Sequence, residues 1–473
     1  MEPQKQLAKN TLILTIGKIC TQSFSFFLLP LYTSALTTEE LGLVDLIVTY
    51  TGLMIPLVYA QFDQAIFRYL IDFRQKSKER KMVITTSCAF SVVQMLLLSA
   101  VFAIIQGLIA SEYKFFLLYM ILASIMSSCM LQVARGFGDT VGYTLGSGVS
   151  AIVQVVCNVL FLLVLDMGAE GMLLATVLGH VAAAVFLFVY ERVWKDLVLR
   201  CFNWPLLKEM IRYCIPLVPN QLSWWAITAS DRVIVSIGLG AAFNGLLSVG
   251  HKFSSMFVAV YNIFHLAWSE SAATYIHEPQ KVRDSYFTAV ITDMFRLFMC
   301  AAIGVIAVMP FVFPLMVHGD FREAYGLIPL FMLAMMFHVV TGLYGAIYVA
   351  LKETTEIAKT SLMAGVINII SHLLLIKYIG IYAAGVSSVI AYAMVAIKRC
   401  RNIQKYVSVR MNGKDLRSII LVFLITVIAY YCSNLLVQGI VLLVVVIYSV
   451  MSNKRVLFQF CDGIKNKWSH NKG

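Results

Sequence analysis

The chain has 473 residues, 60% of them hydrophobic and 13% charged, with a formal net charge of +12. A soluble domain carries roughly 25% charged residues, so this composition excludes an ordinary soluble fold. Apolar runs of about 20 residues, each long enough to cross roughly 30 Å of hydrocarbon, recur from Thr11 to Met451 and leave no room between them for a soluble catalytic domain.

In chain order the predicted spans are 11–35, 41–68, 82–109, 115–134, 141–165, 168–190, 213–238, 244–268, 286–315, 324–351, 357–377, 380–397, 418–434 and 436–451. The expected fold class is therefore an all-α integral membrane protein of about 14 transmembrane helices. The first span is not a cleaved signal, because it is too long, carries Lys18 inside and lacks a small-x-small site.

In the first span Thr11, Thr15, Lys18, Gln22 and Ser25 fall on one helical face, and in the second Asp45, Thr49, Gly52, Pro56, Tyr59 and Asp63 do the same. The seventh offers Asn220, Gln221, Trp224, Trp225, Thr228, Asp231 and Arg232, and the eighth Ser248, Lys252, Ser255, Asn262 and His265. A charge inside a membrane costs about 2.5–3.5 kcal/mol on insertion scales, so such residues face a water-filled cavity or a partner. Asp231 and Arg232 are neighbours and point about 100° apart, so each is expected to find its partner on another helix. Asp293 and Arg296 are spaced to pair along one helix. Trp224 and Trp225 suit stacking on sugar rings or packing against lipid and a neighbouring helix. Pro56, Pro216 and Pro219 are expected to kink or break their spans.

With both termini in the cytoplasm, twenty-nine of the 37 basic residues fall on the cytoplasmic side and three, Lys114, Arg322 and Lys377, outside. That asymmetry is an orientation signal. It removes nucleic acid as a partner and makes the loop at 72–81 a solvated segment attracted to anionic lipid. The scattered cysteines and histidines match no disulfide, zinc or catalytic pattern, so free thiols, no metal and no cofactor are expected.

Polar connectors near 191–212 and 398–417 divide the spans into six, six and two. The expected organisation is a six-helix lobe at 1–195, a linker at 196–212, a second lobe at 213–400, a basic linker at 401–417, and two extra helices with a basic tail at 418–473. The stretch 37–54 resembles 240–257, pairing Gly42 with Gly245, and Asn158 with its sequel resembles Asn368 with its own, so the lobes read as parallel repeats.

LPLYTSALTTEELGLVDL (29–46), IPLVPNQLSWWAITASDRVIV (215–235), NGLLSVGHKF (244–253) and the segment 363–393 resemble the polysaccharide transporter family, the O-antigen and capsule flippases of the multidrug/oligosaccharidyl-lipid/polysaccharide flippase superfamily. The chain departs from that family's pattern at Leu247, where an aromatic is usual, and at Tyr382-Ala383-Ala384-Gly385. The resemblance implies two six-helix lobes around a central cavity, two added helices, and a location in the bacterial cytoplasmic membrane. The substrate would be a glycan on polyprenyl diphosphate, turned outward by alternating access without enzymatic chemistry. Membrane lipid and glycan polymerase or assembly proteins would be its partners. In that setting Lys18, Arg232 and Lys252, with Gln22, Trp224 and Trp225, are the expected substrate contacts. Asp45, Asp63 and Asp231 would balance the cations or bind a coupling proton or sodium. A drug/cation antiporter of the same superfamily and a lipid II flippase are the nearest alternatives. A membrane-embedded glycan polymerase is a further one, disfavoured by the short external turns.

Overall fold

The computed structural model describes residues 26–454 except 75, 109–111, 352, 410–412 and 433, and shows helices and no strand among them. The helices are α1 (Leu29–Ala35), α2 (Thr38–Val58), α3 (Phe62–Phe73), α4 (Ser77–Ile105), α5 (Lys114–Phe137), α6 (Thr140–Val159), α7 (Gly168–Tyr190) and α8 (Trp204–Cys214). They continue as α9 (Leu217–Leu239), α10 (Ala241–Tyr275), α11 (Gln280–Met316), α12 (Ile328–Ala350), α13 (Thr354–Ile379), α14 (Tyr382–Ile403), α15 (Gly413–Tyr431) and α16 (Leu435–Ser452).

Ten helices among the described residues are long and apolar enough to span a membrane. Leu96, Ile104, Leu436 and Leu443 are each more than 60% exposed on such helices, an arrangement suited to lipid rather than water. Most of the expected first span lies outside the described residues. Helices α9, α10 and α15 occupy the places of three further expected spans, and their polar and charged residues keep them out of the ten. The protein is thus an all-helical, multi-pass membrane protein.

The chain forms two compact units, one of residues 1–248 with 319–321 and the other of 249–318 with 322–473. In the first, α5, α6 and α7 pack on one another, α3 packs on α5, and α9 on α2. In the second, α14 packs against α12 and α13, while α11 supports α12, α15 and α16.

The expected single span 41–68 is two helices. Pro56 removes one backbone donor, and one turn later Ala60 and Gln61 adopt left-handed φ values of 51° and 57°. Such residues cost about 1–2 kcal/mol each, and the surroundings offset this. The Gln94 amide caps the Val58 carbonyl, the Cys214 thiol donates to the Gln61 carbonyl at 3.2 Å, and the Tyr59 and Ser91 hydroxyls meet at 2.7 Å. Tyr59 and Phe62 are fully buried at the break. The seventh span is interrupted as its prolines predict, with α8 ending at Cys214 and Pro216 capping α9.

Two other particulars bear on the sequence reading. The eight described cysteines are all free thiols. Arg399, counted with the cytoplasmic connector, is instead buried in α14, because that helix continues to Ile403.

Candidate functional site

The start of α2 is fixed by a reciprocal cap. Thr37 accepts from the Glu40 backbone N–H at 3.2 Å, and the Glu40 carboxylate accepts from the Thr37 N–H at 2.8 Å. One turn on, α2 crosses the start of α10 without intervening side chains. A Cβ on Gly42 would strike the Ala241 carbonyl, and one on Gly245 the Thr38 carbonyl. Each glycine thus makes room for the carbonyl four residues ahead of the other, as a local two-fold relationship requires, and the pair is the one that the internal repeat aligns.

This close crossing brings a set of polar side chains onto Asp45, the next inward position on the α2 stripe. Arg232 Nε of α9 stands 3.0 Å from Asp45 Oδ2. The Asn244 amide donates to Asp45 Oδ2 at 3.3 Å and to the Gly42 carbonyl at 2.9 Å, and the Ser248 hydroxyl donates to Asp45 Oδ1 at 3.2 Å. One turn further, Trp225 Nε1 donates to the Thr49 carbonyl at 2.9 Å, and a Cβ on Gly52 would come into ordinary contact with the indole ring. The carboxylate is 14% exposed and the guanidinium 30%. The pair is therefore only partly covered by the rest of the chain.

The structure therefore brings Asp45, Arg232 and Trp225 together, all within the first unit. Arg232 finds its partner on another helix, and its sequence neighbour Asp231 is buried. Asp63 is placed elsewhere, beyond the α2–α3 break and about 20 Å of helix from Asp45, where it accepts from the amides of Gln64 and Gln132 at 2.8 and 3.5 Å. Lys252 lies half-buried on the part of α10 that belongs to the second unit. Lys18, Gln22 and the Trp224 side chain lie outside what is described. Asp293 and Arg296 pair along α11 at 2.5 Å, as their spacing predicts, with Asp415 3.8 Å from the same guanidinium.

Asn244 was not legible as a site residue. It aligns with Leu41 in the internal repeat, so the repeat gives no signal for it, yet it is fully buried and ties the Asp45 carboxylate to the Gly42 carbonyl. Its cues in the sequence are its position immediately before Gly245 and its place at the head of the NGLLSVGHKF segment (244–253).

Broken, polar-striped helices in an apolar bundle define the class as a multi-pass helical membrane protein, and its fold is similar to those of several solved membrane proteins. An inward-facing multidrug resistance MATE family transporter of that superfamily is 14% identical, with a TM-score of 0.65 over 81% of this chain and 95% of that one. The lipid II flippase MurJ in an inward closed conformation is 15% identical, with a TM-score of 0.68 over 94% of this chain and all of that one. A MOP superfamily transporter from Pyrococcus furiosus, described as having a binding pocket of reversed polarity, is 14% identical, with a TM-score of 0.54 over 85% and 96%. No curated protein matches the sequence. Residues 7–268, more than half of the chain, match the polysaccharide biosynthesis protein family, and the protein belongs to that family.

Proposed function

We propose that the protein is a flippase that turns a polyprenyl-diphosphate-linked oligosaccharide from the cytoplasmic to the external leaflet of the bacterial cytoplasmic membrane, supplying surface polysaccharide. The observation that carries this reading is the Arg232 guanidinium held 3.0 Å from Asp45 in a chain of the polysaccharide biosynthesis family. A guanidinium presents a planar fork that matches phosphate oxygens in two-point contact. In a low-dielectric setting it needs a counter-charge when no substrate is present, and Asp45 supplies one.

The mechanism follows from an exchange of partners. An arriving diphosphate competes with Asp45 for Arg232, with Lys18 and Lys252 as further cationic stops and Gln22, Trp224 and Trp225 toward the sugars. Released from Arg232, Asp45 keeps the weaker grip of Asn244 and Ser248, and α2 is freer to move against α9. Such a change favours alternating access only if the substrate binds the two arrangements with different affinity. Asp63 and Asp231 are assigned to charge balance or to a coupling proton or sodium. The basic connectors support a topology with both termini in the cytoplasm, six-helix halves at 1–195 and 213–400 and two further helices.

Support for this reading comes from the likeness to a lipid II flippase. The likeness to a multidrug transporter favours, as a second reading, an antiporter for cationic drugs. The test is deletion of the gene and complementation with wild type or with Lys18→Ala, Arg232→Ala or Lys252→Ala at matched expression. Surface glycan and lipid-linked glycan are both measured. Flipping predicts loss of surface glycan with accumulation of the lipid-linked unit, restored by wild type and not by Arg232→Ala. Unchanged glycan in a strain lacking other flippases, with altered efflux of cationic dyes, would replace it with the antiporter.

A further inference from the structure

A cavity of about 360 Å³ opens on the flank of the first unit between α4, α5 and α7. Its wall includes Cys88, Met95, Met126, Cys129, Val185 and Phe188, and the hydroxyl of Ser91, which also lines it, is taken up by Tyr59 and the Ser87 carbonyl. An apolar cavity of roughly 150 Å³ stays dry and takes up benzene, so this one has room for several links of a hydrocarbon chain. Val185 at its rim is 54% exposed, which leaves the cavity open to the surrounding lipid.

Leu197, in the connector between α7 and α8, also lines the cavity. That connector is tied to α4: Arg80 pairs with Asp196 at 3.0 Å, and the Thr85 hydroxyl accepts from the Val198 N–H at 3.0 Å. Trp194 and Trp204 are 45% and 56% exposed on either side of Leu197, and exposed tryptophans mark the depth of lipid headgroups. The charge of Arg80 is met by Asp196, while its neighbour Lys81 stands two turns before Cys88 on the same face of α4. Lys195, next to Asp196, is exposed. The cavity wall thus includes Leu197 from the connector that carries Lys195, and Cys88 from the helix that carries Lys81 two turns earlier.

We propose that this cavity seats one acyl chain of an anionic phospholipid, with its phosphate between Lys81 and Lys195. Lipid tails are as apolar as the cavity wall, so filling it supplies packing but little hydrophobic drive. The headgroup charge therefore sets the selectivity, and two lysines near the surface amount to about thirtyfold. The inference rests on the chain crossing the membrane and not on flipping, so either reading can fail without the other.

The test reconstitutes the full chain in nanodiscs that contain phosphatidylglycerol or phosphatidylcholine bearing a photoactivatable diazirine on one acyl chain, and maps the labelled peptides. The expected result is about thirtyfold more labelling from phosphatidylglycerol than from phosphatidylcholine on peptides carrying Met126 and Val185. The lipid-facing surface of α16 should show no such difference. Lys81→Gln combined with Lys195→Gln should bring the two lipids level without lowering the melting temperature. Equal labelling by both lipids on the wild-type chain overturns the proposal without reliance on any variant. Stronger labelling of the same peptides by a diazirine-bearing polyprenyl phosphate also overturns it, and would make the cavity a lane for that lipid class.

Discussion

Gly42 and Gly245 stand where a Cβ on either would strike the backbone carbonyl four residues ahead of the other, Ala241 for Gly42 and Thr38 for Gly245. Neither obstacle is a flexible side chain that can swing away. Gly42→Ala and Gly245→Ala should each destabilise the protein by about 1–3 kcal/mol, the cost of overpacking, and lower its melting temperature in detergent by several degrees. Gly304 on α11 has open space where its Cβ would go. Gly304→Ala should leave the melting temperature unchanged or raise it, since alanine is the better helix former by up to about 1 kcal/mol.

The Asp45–Arg232 pair should behave as one unit in a double-mutant cycle. Asp45→Asn and Arg232→Gln should each abolish most glycan export, and the double variant should be no worse than either. The pair's contribution to stability is expected to be only about 1 kcal/mol, because the guanidinium is 30% exposed. Large losses of export with small shifts in melting temperature would separate a transport role from a structural one. Additive effects on export would argue against the pairing.

Arg399 illustrates a buried cation held without a carboxylate among the described residues. Its guanidinium donates to the Thr341 carbonyl at 2.9 Å, to the Thr360 hydroxyl at 2.7 Å from Nη2, and to the Ser361 hydroxyl at 3.3 Å. A Cβ on Gly345 would come within 2.9 Å of Arg399 Nη1, so that glycine makes room for the reach. Arg399→Ala leaves several buried acceptors without a donor, at about 1–3 kcal/mol each. Arg399→Lys should recover little, because one ammonium cannot reproduce the planar fork that ties α12, α13 and α14 together. Thermal unfolding of the two variants checks this.

Glu191 gives the protein a pH dependence at the end of α7. Burial, and then the nearby charge of Asp139, raise its carboxyl from the ordinary 4.5 to about 7, and its Oε1 has no hydrogen-bond partner among the described residues. Between those values the folded state holds a proton that the unfolded state has released, so stability falls as pH rises through that window. The group is half exposed to screening, so the effect is on the order of 1 kcal/mol. Melting temperature measured from pH 4.5 to 8 should fall with rising pH, and Glu191→Gln should flatten that part of the profile.

The polar stripes on α2, α9 and α10 were legible because periodicity records which face of a helix avoids lipid. Asp45 and Arg232 could be singled out from that pattern, and their pairing could not. It depends on how far α2 is rotated about its axis and on how closely the two glycines let it approach α10. The same limit hid Asn244, which has no polar counterpart in the repeat. It also hid the α2–α3 break, which needs Gln94, Cys214 and Ser91 from other helices to satisfy the opened backbone.

Hydropathy and the placement of basic residues by themselves determined that this chain is a multi-pass helical membrane protein with a predicted orientation, because transfer into hydrocarbon is a property of each segment in isolation. The paired glycines could likewise be read along the chain. Only the tertiary structure decided which charge answers Arg232, that Arg399 belongs in the interior, and that Asp63 stands apart from Asp45. Those outcomes turn on contacts of a few ångströms between helices, and a one-dimensional pattern carries no distance between elements remote in sequence.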